Sequence, residues 1–502
     1  VERVMGPYIL VIDQSTTSSR AYVFDTNQRI VGTARMDVTQ HYPQVAWVEQ
    51  VAEEIWATCL WACKAALRKA GITAAELGGI GIANQRATTI IWERATGRAV
   101  DNAIVWRDQR TEASCDKLNA AGHGTLVSER TGLLIHPFFS ASKIAWLLDT
   151  TPGLRQRAAA GELAFGTVDS FLIAKLTGGR VHATDATNAS QTTLFDIARN
   201  QWDDDLLALF DVPAALLPEV KDSADDYGRS DPGILGTAVP ILGVVGNQQA
   251  ALIGHACFTP GMLKATYDDH CFILLNTGSD IVRSRHRLLS TIAYRIDGQP
   301  TYAIEGAVVS VGGSLNWLHD DLELFEWDEM DKLAKAANGP QPLFLVPAFV
   351  GAGSDWWEQQ ARGGLFGVNR GTRRPDLVRA ALEAIGYQSN DLIETMRKDW
   401  GRDTEISIRV DGSMVSSNWT MQFLADITQA LVERSPMVDV TSLGAAWLAG
   451  WKAGLWPDKA GFATRRVTDR QFEPQLDATM RQRKLHGWRD AVQRVLPTAS
   501  TR

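Results

Sequence analysis

Asn247 and Gln248 stand between an apolar run, Pro240 to Val245, and an Ala/Leu-rich run, Gln249 to Ile253. The pattern predicts a buried strand, a tight turn at Gly246 and a helix. Such a turn presents the next side chains at the carboxyl edge of a sheet, where open α/β folds bind ligands. Asn247 is an amide. It takes part in hydrogen bonds but does not take up a proton as a carboxylate does. A second group is the hydroxyl-rich stretch Gln14-Ser15-Thr16-Thr17-Ser18-Ser19. It lies between a strand from Tyr8 to Ile12, ending at Asp13, and a returning strand from Arg20 to Phe24. Hydroxyls, backbone N–H groups and one Arg aimed at a common point suit a phosphate, although the same composition also makes an ordinary turn. The third group is Asp268-Asp269-His270, between strands Met262 to Tyr267 and Cys271 to Leu275. Two carboxylates there repel an anion unless the loop turns outward, and no spaced ligands nearby complete a metal site.

These groups need rigid elements behind them. Val51 to Ala70 reads as a helix, Gly79 to Ile82 as a strand opening onto Asn84-Gln85-Arg86, and Thr88 to Trp92 and Asn102 to Trp106 as further strands. Ser140 to Asp149 and Phe171 to Leu176 read as helices, and Thr184 to Ser190 as a dense polar loop. The second half repeats the first in outline. Its strand Ile406 to Val410 ends at Asp411, and Gly412-Ser413 leads to a helix from about Asn418 to Ile427. Ser435 to Val440 links to a Gly/Ala-rich helix, Leu443 to Gly454, whose small residues permit close packing. Two strand-turn-strand hairpins facing each other give an α/β plan of two actin-like, ribonuclease-H-like ATPase domains around a central cleft. The expected domains are residues 1–255 and 256–502.

At 502 residues the chain exceeds one core, which supports two domains. A net charge of −8 argues against nucleic acid or an anionic membrane as the main partner. No apolar run approaches membrane length, and the start, Val1 to Pro7, lacks an apolar signal core, so a cytoplasmic protein is expected. Five Cys form no disulfide framework; Cys59 and Cys63 share a helix face, as small buried residues or as a metal or redox pair.

Several motifs carry a resemblance. Asp13-Gln14-Ser15-Thr16-Thr17-Ser18-Ser19-Arg20, Ala83-Asn84-Gln85-Arg86, Asn102-Ala103-Ile104-Val105-Trp106 and Phe165-Gly166-Thr167-Val168-Asp169 match the glycerol kinases of the FGGY carbohydrate kinase family. So do Thr184 to Ser190, Gln248-Gln249-Ala250-Ala251, Tyr302 to Gly306 and Val346-Pro347-Ala348-Phe349. The resemblance runs from about Tyr8 to the last helix. It implies MgATP bound in the cleft, glycerol on the N-terminal side, nucleotide on the C-terminal side, and phosphoryl transfer to a terminal hydroxyl of glycerol. A homo-oligomer is compatible with it.

Carried onto this sequence, the resemblance places substrate contacts at Arg86, Ala87, Trp106, Phe138, Asn247 and Gln248. It places nucleotide and phosphate contacts at Asp13, Ser15, Thr16, Thr17, Ser18, Arg20, Asp269, Gly312, Asn316, Ser413 and Ser417, with Asp13 also reaching the metal through water. Many of these positions depart from the family pattern. The family's general base is Asp where Asn247 stands, and its pocket has Glu at Ala87, Tyr at Phe138 and Asp at His136. Its phosphate turn is Gly-Thr-Gly where Asp268-Asp269-His270 stands. It has Gly at Ser15 and Ser413, Gln at Asn316, and Gly-Leu-Gly-Ala-Pro at residues 351–355. The losses gather where ligands should touch, so an impaired or inactive scaffold, a pseudoenzyme with weak MgATP binding, is expected. The alternative is an active ATP-dependent glycerol kinase with atypical site residues.

Overall fold

The structure, a computed structural model, describes residues 6–308, 311–337, 343–349, 361–437 and 439–496. The first sheet contains β1 (Tyr8–Gln14), β2 (Ser18–Phe24), β3 (Ile30–Asp37), β4 (Leu77–Asn84) and β5 (Ile241–Gly246), in the order β5-β4-β1-β2-β3. β1 pairs antiparallel with β2 and parallel with β4; β5 extends the parallel side. The second sheet contains β6 (Met262–Tyr267), β7 (Cys271–Gly278), β8 (Leu289–Ile296), β9 (Gln299–Val308), β10 (Ser407–Asp411), β11 (Leu431–Arg434) and β12 (Arg470–Phe472). Its order is β8-β9-β7-β6-β10-β11-β12. β6 again pairs antiparallel with the following strand and parallel with a later one. The run β9-β7-β6-β10-β11 therefore repeats β3-β2-β1-β4-β5, the duplication expected from the sequence.

Helix α1 (Ala52–Ala70) covers one face of the first sheet through Ile55, Cys59 and Ala62, all buried. Cys59 and Cys63 are buried thiols inside this core. α4 (Arg374–Trp400) and α5 (Asn418–Thr428) cover the second sheet. Between α1 and α4 in chain order lie α2 (Ser140–Thr150) and α3 (Asn247–Gly254), and α6 (Val440–Lys452) follows α5. The small residues of α6 allow a close approach: a Cβ on Gly444 would lie 1.9 Å from the Ala250 carbonyl of α3. Leu252, Ile253, Ala445 and Trp447 join Ile9 and Val11 of β1 in one buried cluster, tying α3 and α6 to the first sheet. Among the described residues no helix is long and apolar enough to cross a membrane.

Three local expectations change. The strand expected over Asn102 to Trp106 is only Ala103–Ile104, and the chain then turns, taking Trp106 off the sheet. The stretch from Thr184 to Ser190 is no loop. It contains the end of strand Ala183–Asp185 and a short helix, Ala186–Ala189, with Asp185 accepting from the N–H groups of Thr187 and Asn188. Gly246 has an ordinary extended backbone, φ −63°. Its glycine answers to space, since a Cβ would sit 2.9 Å from the Arg86 side chain. The 351–355 motif and the tail after Pro497 lie outside the described residues.

Candidate active site

A cavity of about 380 Å³ opens between the two sheets, lined by Thr16, Thr17, Gln85, Arg86, Trp106, Arg107, Phe138, Asn247, Gln248, Thr266, Asp268, Asp269, His270 and Phe272. Each half supplies a hairpin turn. In the β1–β2 turn the Ser15 hydroxyl donates to the Ser18 carbonyl (2.9 Å) and accepts from its N–H (3.2 Å). That side chain closes its own turn. Thr16 and Thr17 face the cavity, and the Thr16 hydroxyl accepts from the Trp106 indole N–H (2.9 Å). Asp13, at the end of β1, is buried. Burial pushes its carboxyl up to about 6, with Arg20 opposing and Asp439 adding to the rise. Arg20 lies 3.5 Å from Asp439, which also accepts from the Tyr22 hydroxyl (2.7 Å).

The N-terminal side of the cavity is built on β4, β5 and α3. Asn247 opens α3, and its Oδ1 accepts from the Gln248 N–H (2.9 Å). The amide oxygen therefore satisfies one of the free N–H groups at the helix start. Gln248 accepts from buried Lys264, which also donates to the Thr266 hydroxyl (2.8 Å). Thr266 in turn donates to Asp411 at 2.7 Å. Arg86 makes a two-pronged pair with Glu305 of β9 (2.6 and 2.5 Å), and each side chain is only 3% exposed. This buried pair joins the two halves at the cavity wall. Ala87 is fully buried at φ +61° and is not on the cavity wall. Trp106 and Phe138 form an aromatic wall, with ring centroids 5.1 Å apart.

On the opposite side the β6–β7 turn is exposed, yet its three side chains face the cavity. Asp268 is exposed and yet anchored. Its Oδ1 accepts from the Ser413 N–H (2.8 Å) and hydroxyl (2.9 Å). The Gly312 N–H sits behind the same turn, 3.2 Å from the carbonyls of Asp268 and Asp269. Partial desolvation in the cleft and the Arg107 cation lower the pKa of His270, while Asp269 opposes them.

The chain matches the FGGY carbohydrate kinase family twice, its N-terminal domain over residues 8–254 and its C-terminal domain over residues 263–453. It is 52% identical to a glycerol kinase of Rhizobium rhizogenes over 98% of this chain and 99% of that protein. It is 54% identical to one of Methylobacterium nodulans over 97% and 98%. The chain belongs to the glycerol kinases of the FGGY family. The solved Plasmodium falciparum glycerol kinase with ADP superposes with a TM-score of 0.93 at 34% identity, over 98% of both chains. A gluconate kinase from Lactobacillus acidophilus superposes with a TM-score of 0.85 at 19% identity, which speaks to the fold alone.

Of the positions carried over from the glycerol kinases, the cavity gathers Thr16, Thr17, Arg86, Trp106, Phe138, Asn247, Gln248 and Asp269. Asp13, Ser15, Ser18, Arg20, Gly312, Asn316, Ser413 and Ser417 are not on its wall. Ser417 caps α5, accepting from the Thr420 N–H (3.0 Å), and its hydroxyl donates to Asp331. Sequence reasoning missed Gln85, Arg107, Thr266 and Phe272. Phe272 is one residue into β7, so the alternation of that strand was the available signal.

Proposed function

We propose that this chain keeps the glycerol kinase architecture while transferring the γ-phosphoryl group of ATP to glycerol much more slowly than a kinase with an intact site. Asn247 carries the proposal. At the position where the resemblance expects a carboxylate base there is an amide whose oxygen already accepts from Gln248 N–H. General base catalysis contributes on the order of 10²–10⁴-fold. In a loose phosphoryl-transfer transition state part of that is placement of the hydroxyl. Residues 1–255 form the glycerol side and 256–502 the nucleotide side in this reading. A cytoplasmic setting follows the family.

The phosphate side supports the same conclusion. Asp268 occupies the Ser413 donors with its own carboxylate, and Asp269 adds a second negative charge to the cavity. MgATP binding is accordingly weak. Mg²⁺ supplies charge neutralisation between the phosphate oxygens when bound. The resemblance assigns Asp13, buried at the end of β1, to its water shell, and among the described residues no cluster of three or more ligating side chains exists.

A second reading, an active ATP-dependent glycerol kinase with atypical site residues, is favoured by full-length relatives above 50% identity that bear that name. The retained Thr16, Thr17, Arg86, Trp106 and Gln248 on the cavity wall also favour it. Coupled ADP release with glycerol, together with calorimetry of MgATP, separates the two. Turnover within tenfold of about 1–100 per second, the usual kinase range, selects the active enzyme.

A further inference from the structure

The Phe138 face of the cleft hangs from a loop between helix Gly124–Thr131 and α2. Its ring lies against Trp106 and Phe139, each at 5.1 Å, and separates the cleft from an apolar cavity of about 210 Å³ that shares Phe138 and Phe272 with it. Two titratable side chains hold the loop backbone. His136 Nδ1 accepts from the Phe138 N–H at 3.1 Å. Lys143, fully buried on α2, donates to the carbonyls of Pro137, Phe138 (2.7 Å) and Phe139 (3.3 Å). Three acceptors use all three protons of an ammonium.

We propose that His136 and Lys143 are positioning residues that order the Phe138 wall through bonds of opposite proton requirement, so that the wall is intact only where His136 is neutral and Lys143 is charged. The His136 bond needs an unprotonated Nδ1, and imidazolium turns that acceptor into a donor facing another N–H. The Lys143 bonds need the charged amine, because the neutral amine has only two protons and much weaker donors.

The surroundings set the interval. Burial pushes Lys143 down to about 7, opposed by Asp108 and Cys115 and assisted by Arg110. Asp108 gives little direct help, since its oxygens are taken by Arg110 and the Val48 N–H. His136 itself is exposed, yet partial desolvation by the surrounding protein lowers its pKa from the usual 6.5, assisted by Lys143 and Arg287 and opposed by Asp116. His136 therefore loses its proton first as pH rises, and Lys143 follows near neutrality. Both bonds coexist only between these two steps.

The test reads the wall directly and does not depend on whether glycerol is turned over. 4-Fluorophenylalanine is placed at position 138 of the full chain, and its ¹⁹F resonance is followed from pH 5 to 9. Two transitions are expected, one below pH 6.5 and one near pH 7. His136→Asn keeps an acceptor that does not titrate and should remove the lower transition alone. Lys143→Arg keeps its charge throughout and should remove the upper one. If Lys143→Arg does not fold, Lys143→Gln should lack the upper transition and hold the alkaline resonance position at every pH above the lower one. A resonance that does not move between pH 5 and 9 in the parent protein overturns the proposal. So do transitions that survive in both variants.

Discussion

Asp268→Gly should strengthen MgATP binding by about 10²–10³-fold, and the structure says where the gain arises. In the parent protein Asp268 Oδ1 takes both Ser413 donors, at 2.8 and 2.9 Å. A phosphate approaching that backbone meets a carboxylate in place of free N–H groups. One like-charge contact at about 4 Å and an effective dielectric near 20 costs about 4 kcal/mol. The turn is exposed, so screening reduces this to about 1–2 kcal/mol. Freeing the Ser413 N–H for a charged acceptor adds about 1.5–3 kcal/mol. The sum, about 2.5–5 kcal/mol, brackets the stated range, which corresponds to about 2.7–4.1 kcal/mol. Neither Asp268 nor Asp269 has a positive φ, so the turn itself does not need glycine. Asp268→Asn divides the two contributions. It keeps an acceptor for Ser413 but removes the charge, and should improve affinity only about tenfold. Titration calorimetry at two salt concentrations measures both variants, with the charge part shrinking at higher salt. Unchanged affinity in both variants would refute the phosphate-turn argument. Equal gains in both would remove Ser413 from it.

Asn247→Asp alone should raise turnover in the ADP-release assay yet leave it below the usual range of about 1–100 per second, because Phe138 and the Asp268–Asp269 turn still line the cavity. The same variant should be more stable by about 0.3–1 kcal/mol in urea denaturation, since the new charge sits at the start of α3. Arg86→Ala should destabilise by about 3–5 kcal/mol, because it leaves Glu305 buried without its partner. A urea midpoint equal to the parent's would show that the pair is not holding the halves together. Asp13 is raised in the fold to about 6, so the neutral acid is the favoured form. Its contribution to stability is present below about pH 4 and is lost as pH rises to 6. Asp13→Asn should therefore gain on the parent protein across that window, levelling near about 3 kcal/mol above pH 6. A constant difference from pH 4 to 8 counts against the assignment.

The sheets were legible because each hairpin strand is a short apolar run between polar turns, and because the second half repeats the first. The two hairpins β1–β2 and β6–β7 follow from that pattern, whereas β3, β9 and β11, which complete the repeated five-strand order, are not read from it. Polar sequence misled where polar groups are buried and fully bonded. Asp185, Thr187 and Asn188 look like a solvated loop, yet each has no exposed surface. The Asn188 amide bonds Asn84 and Asp185 inside the core. At the site, spacing located both turns and the Asn247 helix start. It did not reveal that Ser15 and Ser417 serve their own turn and cap, or that Ala87 is enclosed behind the wall. Those outcomes depend on side-chain direction, which spacing alone leaves open. The Asp268–Ser413 bond joins residues 145 positions apart in sequence and has no local signature.

The central claim concerns turnover, and one measurement reaches it most directly. The full-length protein is given saturating glycerol and millimolar MgATP, and ADP release is followed by a coupled assay, with a glycerol-free reaction subtracted. The amide at Asn247 and the acidic turn at Asp268 and Asp269 predict a rate at least about 100-fold below the usual 1–100 per second of kinases. A glycerol-dependent rate within tenfold of that range would contradict the account and make this chain a working glycerol kinase.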